Sequence, residues 1–192
     1  MDRKVKQLFE ATYDENEKKQ LLEWARVGIE NYIQEGWSIQ PITNNQTLKQ
    51  KTGVFVTLWK KGELRGCMGF LQTDKPLNES VVEMAISAAT KDKRFTPVNS
   101  DELKEIKIEI SVLSPLKKIK SIKEIELGKH GVLISKGSRS GVFLPEVAEK
   151  ENWDLGTFLE ALCIEKAGLP SNAWMDKDTD LYIFTAVNFQ EE

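Results

Sequence analysis

Apolar residues recur at helical spacing in three stretches of the chain. The spacing predicts an amphipathic helix over residues 15–34 and a second one over residues 76–91, which contains no internal glycine or proline. A third helix is predicted over residues 154–167, because Asp154 is a favourable N-cap and Gly168 a natural C-terminal stop. The helices are therefore spread along the chain and leave room for strands between them.

Short runs of β-branched and aromatic residues, and one strictly alternating segment, predict the strands. In residues 105–114 isoleucine and valine alternate with Lys107, Glu109 and Ser111, as in a strand with one polar face. Two hairpins and a closing strand complete the prediction: 54–59 with 64–71, 132–135 with 141–144, and 181–189. Strands grouped in hairpins with helices between them predict an α+β fold, with a mostly antiparallel sheet flanked by helices.

Composition and charge narrow the class of protein. A chain of 192 residues is long enough for a stable core, and its formal net charge of -3, with both signs interspersed, argues against a nucleic-acid or lipid surface. The lysine-rich stretch 117–123 is followed at once by Glu124 and Glu126, which favours a solvated face and leaves RNA as the weaker alternative. Two widely spaced cysteines indicate free thiols in a reducing compartment. The N-terminus lacks a secretory signal and no run reaches about 18 apolar residues, so we expect a cytoplasmic protein without membrane contact.

The segment whose residue types best suit a reactive site is Leu64-Arg65-Gly66-Cys67-Met68-Gly69, on the second strand of the first hairpin. Alternation would place Arg65, Cys67 and Gly69 on one face. A guanidinium close to Cys67 would lower the thiol pKa, and Gly66 and Gly69 would let a substrate approach. Alternatively, Cys67 is a small buried apolar residue and the glycines mark a bulge or tight packing.

Six segments in order make the chain resemble the AMMECR domain family over about residues 18–188. They are 64–69, 91–98, 108–113, 128–131, 144–148 and 166–170. The resemblance implies one domain over residues 1–192 with an N-terminal extension, 1–17, and a compact α+β fold of two unequal lobes with an interlobe cleft near the Arg-Gly-Cys motif. It supplies no established activity. Family association implies Memo-like proteins of dioxygenase-related fold and radical S-adenosylmethionine proteins as partners in a modification pathway.

Several further side chains are candidates for the same site. His130, the only histidine, could activate Cys67 as a base, or could be a surface hydrogen-bonding group. Glu109 could be a third site member or merely solvated. Arg94, beside Phe95, could bind an anion or anchor a helix end. One histidine and two distant cysteines do not form a standard zinc site, so no metal and no cofactor is predicted.

Two functional hypotheses follow. In the first, the chain is an enzyme or enzyme subunit that binds a small or nucleotide-like anionic ligand through Arg65 and Arg94. Cys67 is then the nucleophile or covalent carrier, and Glu109 and His130 transfer protons. In the second, the same cleft is a non-catalytic module that binds or scaffolds a partner protein. A low pKa of the Cys67 thiol would favour the first hypothesis.

Overall fold

The computed structural model describes residues 13–192. They form two compact units, a larger one of residues 13–113 with 187–192 and a smaller one of residues 114–186. Each unit has its own apolar core. The predicted α+β class is confirmed. Residues 1–12 of the predicted extension lie outside the described part, whereas Tyr13 is already buried in the core of the larger unit.

The described residues contain four α-helices and eight strands. The helices are α1 (Glu15–Glu35), α2 (Leu77–Thr90), α3 (Val147–Lys150) and α4 (Leu155–Ala161). The strands are β1 (Val54–Lys60), β2 (Glu63–Phe70), β3 (Ile106–Leu113), β4 (Lys117–Lys118), β5 (Gly131–Lys136), β6 (Arg139–Phe143), β7 (Asp180–Phe184) and β8 (Ala186–Gln190).

In the larger unit, α1 and α2 cover one face of a sheet with strand order β2-β1-β3-β8. Helix α1 is capped by Asp14, whose side chain accepts a hydrogen bond from the Glu17 N–H in a capping box. Strand β1 pairs antiparallel with both β2 and β3. Val56, Leu58 and Ile110 are fully buried on the face toward the helices, and the opposite face is more polar.

The smaller unit is built on an antiparallel sheet with strand order β4-β7-β5-β6. Phe158 and Leu159 of α4 are fully buried in its core. The third predicted helix was expected to reach Ala167, but α4 ends at Ala161 and continues as a π-helical turn, Leu162–Lys166. None of the helices in the described part of the chain is long and apolar enough to cross a membrane.

The prediction of one closing strand over residues 181–189 is wrong, because the segment forms two strands in different sheets. Strand β7 joins the sheet of the smaller unit, and β8 joins the sheet of the larger unit. The break falls at Thr185, whose N–H donates to Ser114 Oγ at 2.9 Å, while the Ser114 N–H donates to the Thr185 carbonyl at 2.9 Å. The apolar pattern runs on through this point and gives no sign of the change.

Candidate functional site

A β-bulge sets the direction of the Cys67 side chain. The register of β1 against β2 shifts between Leu58 and Trp59, so that Leu58 pairs with Gly66, Trp59 pairs with Leu64, and Arg65 is the extra residue. Beyond the bulge Cys67 lies opposite Thr57. Thr57 also lies opposite Glu109 on β3. Residues directly opposite in adjacent strands share a face. The side chains of three neighbouring strands therefore lie side by side on one face of the sheet: Cys67, Thr57 and Glu109. We call this surface the Cys67 face.

The Cys67 thiol is half-buried and interacts with two groups of the larger unit. The Thr57 hydroxyl donates to Cys67 Sγ at 3.4 Å. Burial raises the pKa of the Cys67 thiol above its ordinary value, and the Thr57 hydrogen bond and the positive charge of Arg94 offset only part of that effect. The thiol is therefore protonated at neutral pH.

A buried carboxylate links Arg94 to the backbone of Cys67. The Cys67 N–H, on edge strand β2, donates to Asp92 Oδ2 at 2.9 Å. Arg94 donates to the same carboxylate from Nε at 2.9 Å and from Nη2 at 2.6 Å. The Asp92 side chain is 6% exposed and that of Arg94 57% exposed. The Arg94 guanidinium holds the pKa of Asp92 well below its usual range. Asp92 is thus ionised and fixes Arg94 beside the thiol.

Gly66 allows helix α2 to bring Asp92 to this position. A Cβ atom on Gly66 would lie 2.3 Å from the Ala88 carbonyl oxygen, which no side chain tolerates. The last turn of α2 therefore lies directly on β2. Asp92 follows the helix by two residues, within reach of the Cys67 N–H. The local role of Gly66 is this helix–strand contact, and its predicted contact with a ligand stays a prediction.

Arg65 does not have the place expected of it. As the bulge residue it turns to Glu102, which accepts from Arg65 Nε at 3.0 Å and from Nη2 at 2.9 Å. Their side chains are only 12% and 15% exposed, and the pKa of Glu102 falls to about 2, chiefly because of Arg65. The expectation that Arg65 lowers the thiol pKa is wrong. The positive charge that lowers the Cys67 pKa comes from Arg94, and burial, with smaller contributions from Asp92 and Glu109, outweighs it.

Glu109 lies on the Cys67 face and is held by a neighbouring indole. Trp59 Nε1 donates to Glu109 Oε2 at 3.2 Å. Both residues line a pocket of about 550 Å³, together with Lys107 of the same strand. One strand separates Glu109 from Cys67, so the two Cα atoms lie roughly 10 Å apart and direct proton transfer between them needs a bridging group. Thr57 lies between them.

His130 belongs to the smaller unit. The Glu126 N–H donates to His130 Nδ1 at 3.1 Å, and burial lowers the pKa of the imidazole. The ring also forms a hydrogen bond with the backbone of Glu124. The imidazole thus forms its hydrogen bonds with the backbone of its own loop. The predicted Cys67–His130 pair stays a prediction.

The two remaining predicted site residues are held by aromatic contacts. The Phe95 ring lies 5.4 Å from the centre of the Arg94 guanidinium, in cation–π geometry, and supports the side chain from one side. A Cβ on Gly69 would lie 2.4 Å from the Phe55 ring, so the space above Gly69 is filled by that ring.

Sequence reasoning missed three residues that complete the face, namely Thr57, Trp59 and Asp92. Asp92 could have been suspected, since it stands two residues before Arg94 in one of the segments that carry the family resemblance. Thr57 and Trp59 depend on the strand register, which the sequence does not reveal. In the part of the chain that the structure describes, no group of three histidine, cysteine, aspartate or glutamate side chains is arranged to hold a metal ion.

Comparison with known proteins identifies the family. The sequence matches the AMMECR1 family model over residues 22–189, which spans both units. The chain belongs to the AMMECR1 family. Among its AMMECR1-family relatives, protein MK0488 of Methanopyrus kandleri is 46% identical over 90% of this chain and 87% of its own length. A protein of Methanothermobacter thermautotrophicus is 39% identical over 95% of this chain and 98% of its own length.

A solved AMMECR1-family structure confirms the fold. The crystal structure of the uncharacterized protein PH0010 from Pyrococcus horikoshii superposes with a TM-score of 0.83, at 39% identity and over 90% of each chain. The α+β architecture and the resemblance drawn from the sequence are both confirmed by these matches. The predicted interlobe cleft and the extent of the single domain stay predictions.

Proposed function

We propose that this AMMECR1-family protein binds a small or nucleotide-like anionic ligand on the Cys67 face, as an enzyme or enzyme subunit. The observation that supports the proposal most is the buried carboxylate of Asp92, which joins the Cys67 backbone to a half-exposed guanidinium. The two backbone N–H groups explain the carboxylate itself, but Arg94 is more than half exposed and gains little stability from the pair, so its fixed orientation is better explained by a ligand that it binds.

The chemistry of the face suits an anion that is bound beside a neutral thiol. Arg94 uses Nε and Nη2 on Asp92, and its Nη1 has no acceptor among the described residues. Arg94 would bind the anionic group through Nη1, and the thiol of Cys67 and the hydroxyl of Thr57 would contact the adjoining atoms. Because the resting thiol is protonated, Cys67 acts as a nucleophile only if a bound ligand favours loss of its proton, or if the Thr57 hydroxyl passes that proton on to Glu109.

Protection of Cys67 from alkylation tests this proposal. In a Cys163→Ser background, which removes the fully buried second thiol, iodoacetamide reports on Cys67 alone. We expect AMP or inorganic phosphate to slow the alkylation several-fold. Arg94→Gln should abolish the protection, and Lys93→Gln, which removes the adjacent exposed cation, should preserve it. Equal protection in both variants would refute a role for Arg94.

The pH dependence of the same reaction tests the state of the thiol. Because the pKa of Cys67 is raised, the alkylation rate should be low at neutral pH and should still be rising above pH of about 8.5, the ordinary thiol value. A plateau reached below that pH would mean a stabilised thiolate and would contradict the neutral-thiol geometry.

A second function, a non-catalytic module that binds a partner protein, is favoured by one observation. Both arginines of the predicted site are already paired with carboxylates, and the thiol is not activated. The proposed partners are Memo-like and radical S-adenosylmethionine proteins, in the cytoplasm. Calorimetric titration with a purified Memo-like protein separates the two functions. Binding that is lost in Cys67→Trp, without protection by AMP or phosphate, would favour the module.

A further inference from the structure

The pocket of about 550 Å³ adjoins the Cys67 face and shares Glu109 with it. Its volume falls within the range of roughly 300–1,000 Å³ that is typical of small-molecule sites. The pocket lies within the larger unit, where β1, β3 and β8 contribute Trp59, Lys107 and Gln190 to its lining. Because Glu109 belongs to both places, one ligand can reach the pocket and the Cys67 face together.

The indole of Trp59 presents a fixed flat surface to this pocket. The ring is partly exposed, and its Nε1 donates to Glu109 Oε2 at 3.2 Å, which fixes its orientation. Within residues 13–192 no other aromatic ring and no cation stacks on the indole. Partly exposed aromatic side chains of this kind are the surfaces on which nucleic-acid bases stack in proteins. The pocket therefore suits a planar aromatic group.

Two polar groups next to the indole match the polar edge of a base. Lys107 lies directly opposite Trp59 on β3, is exposed, and forms no ion pair within the described chain, whereas Lys61 is paired with Glu105 at 3.4 Å. Glu109 lies two residues from Lys107 on the same face, and its Oε1 receives no hydrogen bond from any described residue. One free donor and one free acceptor are thus neighbours on one strand. Adenine presents the complementary pair, an amino donor beside a ring-nitrogen acceptor.

The distance between the pocket and the thiol suits a mononucleotide. Trp59 lies two residues from Thr57 along β1, and Thr57 lies opposite Cys67 on β2. Two residues along a strand and one strand across separate the Cα atoms of Trp59 and Cys67 by roughly 8 Å. In AMP a single ribose separates the base from the phosphate, which is a span of the same order. A base at Trp59 therefore leaves the phosphate beside Cys67 and Arg94.

We infer that the ligand of the Cys67 face is a nucleotide whose base stacks on Trp59. The inference rests on the proposed function, because it takes the phosphate to be bound by Arg94. The amino group of the base donates to Glu109 Oε1, and Lys107 donates to a ring nitrogen. Trp59 is then the residue that makes the site prefer a nucleotide to a simple phosphate ester.

Protection of Cys67 from iodoacetamide, in the Cys163→Ser protein, compares AMP with ribose 5-phosphate, which has the sugar and the phosphate but no base. We expect AMP to protect at a concentration about tenfold below that of ribose 5-phosphate, because stacking on an aromatic side chain strengthens binding by about that factor or more. Equal potency of the two compounds would overturn the inference and leave the proposed function standing. Protection by neither compound would refute the proposed function itself.

Substitution of Trp59 provides the protein-side test. Trp59→Leu should raise the AMP concentration needed for half-protection about tenfold, and should leave protection by ribose 5-phosphate unchanged, which reports that the face is intact. Trp59→Phe keeps a ring but loses the N–H bonded to Glu109, and it should retain most of the preference for AMP. Trp37→Leu is the matched control, because Trp37 is 55% exposed and does not line this pocket. An undiminished preference for AMP in Trp59→Leu, or its complete loss in Trp59→Phe, would overturn the stacking.

Discussion

Replacing Asp92 with asparagine tests whether this carboxylate organises the Cys67 face. The carboxylate accepts from the Cys67 N–H, from the Arg94 N–H and from two guanidinium nitrogens of Arg94. Asparagine has almost the same shape but only one acceptor oxygen and no charge. Oδ2 serves the Cys67 N–H and Arg94 Nη2, and Oδ1 serves the Arg94 N–H and Nε, so in either orientation of the amide one backbone N–H and one guanidinium nitrogen lose their acceptor.

The expected loss follows from these contacts. A buried N–H left without an acceptor costs about 1–3 kcal/mol. The ion pair adds less, roughly 0.2–1 kcal/mol, because Arg94 is more than half exposed. We therefore expect Asp92→Asn to lower the free energy of unfolding by about 2 kcal/mol. In a domain of this size that change corresponds to roughly 4–8 °C in Tm.

The pH dependence identifies the carboxylate as the cause. The pKa of Asp92 is lowered in the folded state, so its stabilisation is fully present above the unfolded value of about 3.9 and is lost as the pH falls below it. The difference between wild type and Asp92→Asn should be constant from about pH 8 to about pH 5 and should shrink below about pH 4.

Urea unfolding of both proteins at a series of pH values provides the measurement, with fluorescence and circular dichroism compared, since two units need not unfold together. Asp74→Asn is the matched control, because Asp74 is exposed and has no hydrogen bond or ion pair within the described chain. The reasoning fails if Asp92→Asn is as stable as that control at pH 7, or if its deficit is unchanged at pH 3.

Two further changes test the structure around the face. Gly66→Ala should lower the free energy of unfolding by about 2–3 kcal/mol, because its Cβ would meet the Ala88 carbonyl. Gly156→Ala, in a helix with only an ordinary contact, should be neutral or stabilising in the same urea-unfolding assay. Glu102→Gln should cost about 2 kcal/mol at pH 7 by weakening the charged bonds from Arg65. Since the pKa of Glu102 is lowered to about 2, its contribution should disappear as the pH falls from about 4 toward 2, and a pH-independent deficit would contradict this origin.

Local patterns in the sequence were sufficient for most elements. The first two helices and the strand over 105–114 appear within two residues of their predicted ends, because a long amphipathic helix and a strictly alternating strand each have one stable way to bury their apolar side. The failures lie where tertiary contacts decide. The break at Thr185 interrupts no periodicity, and the short strand Lys117–Lys118 exists only because it pairs with β7.

The candidate site was predicted in part. The residues that the prediction missed were missed for one physical reason. Cys67, Arg94 and Glu109 were found because their side chains have distinctive chemistry and lie in or near recognisable segments. In the sequence Asp92 looks like any loop aspartate. Its role depends on the packing of α2 against Gly66, which places its carboxylate next to the Cys67 N–H on edge strand β2. Such a close contact between a helix and a strand that are distant in sequence is indicated in the sequence only by the glycine that permits it.

The bulge at Arg65 shows most clearly why the sequence could identify Arg65 as a site residue but could not predict what Arg65 does there. Lys60 pairs with Glu63 across the turn, and a regular hairpin continued from that pair would place Cys67 opposite Val56, on the core side of the sheet. One extra residue moves Cys67 opposite Thr57, on the polar side. The extra residue is held by the bidentate contact with Glu102. Arg65 therefore belongs to the site for a reason that alternation alone could not supply, since its insertion is what turns the thiol outward.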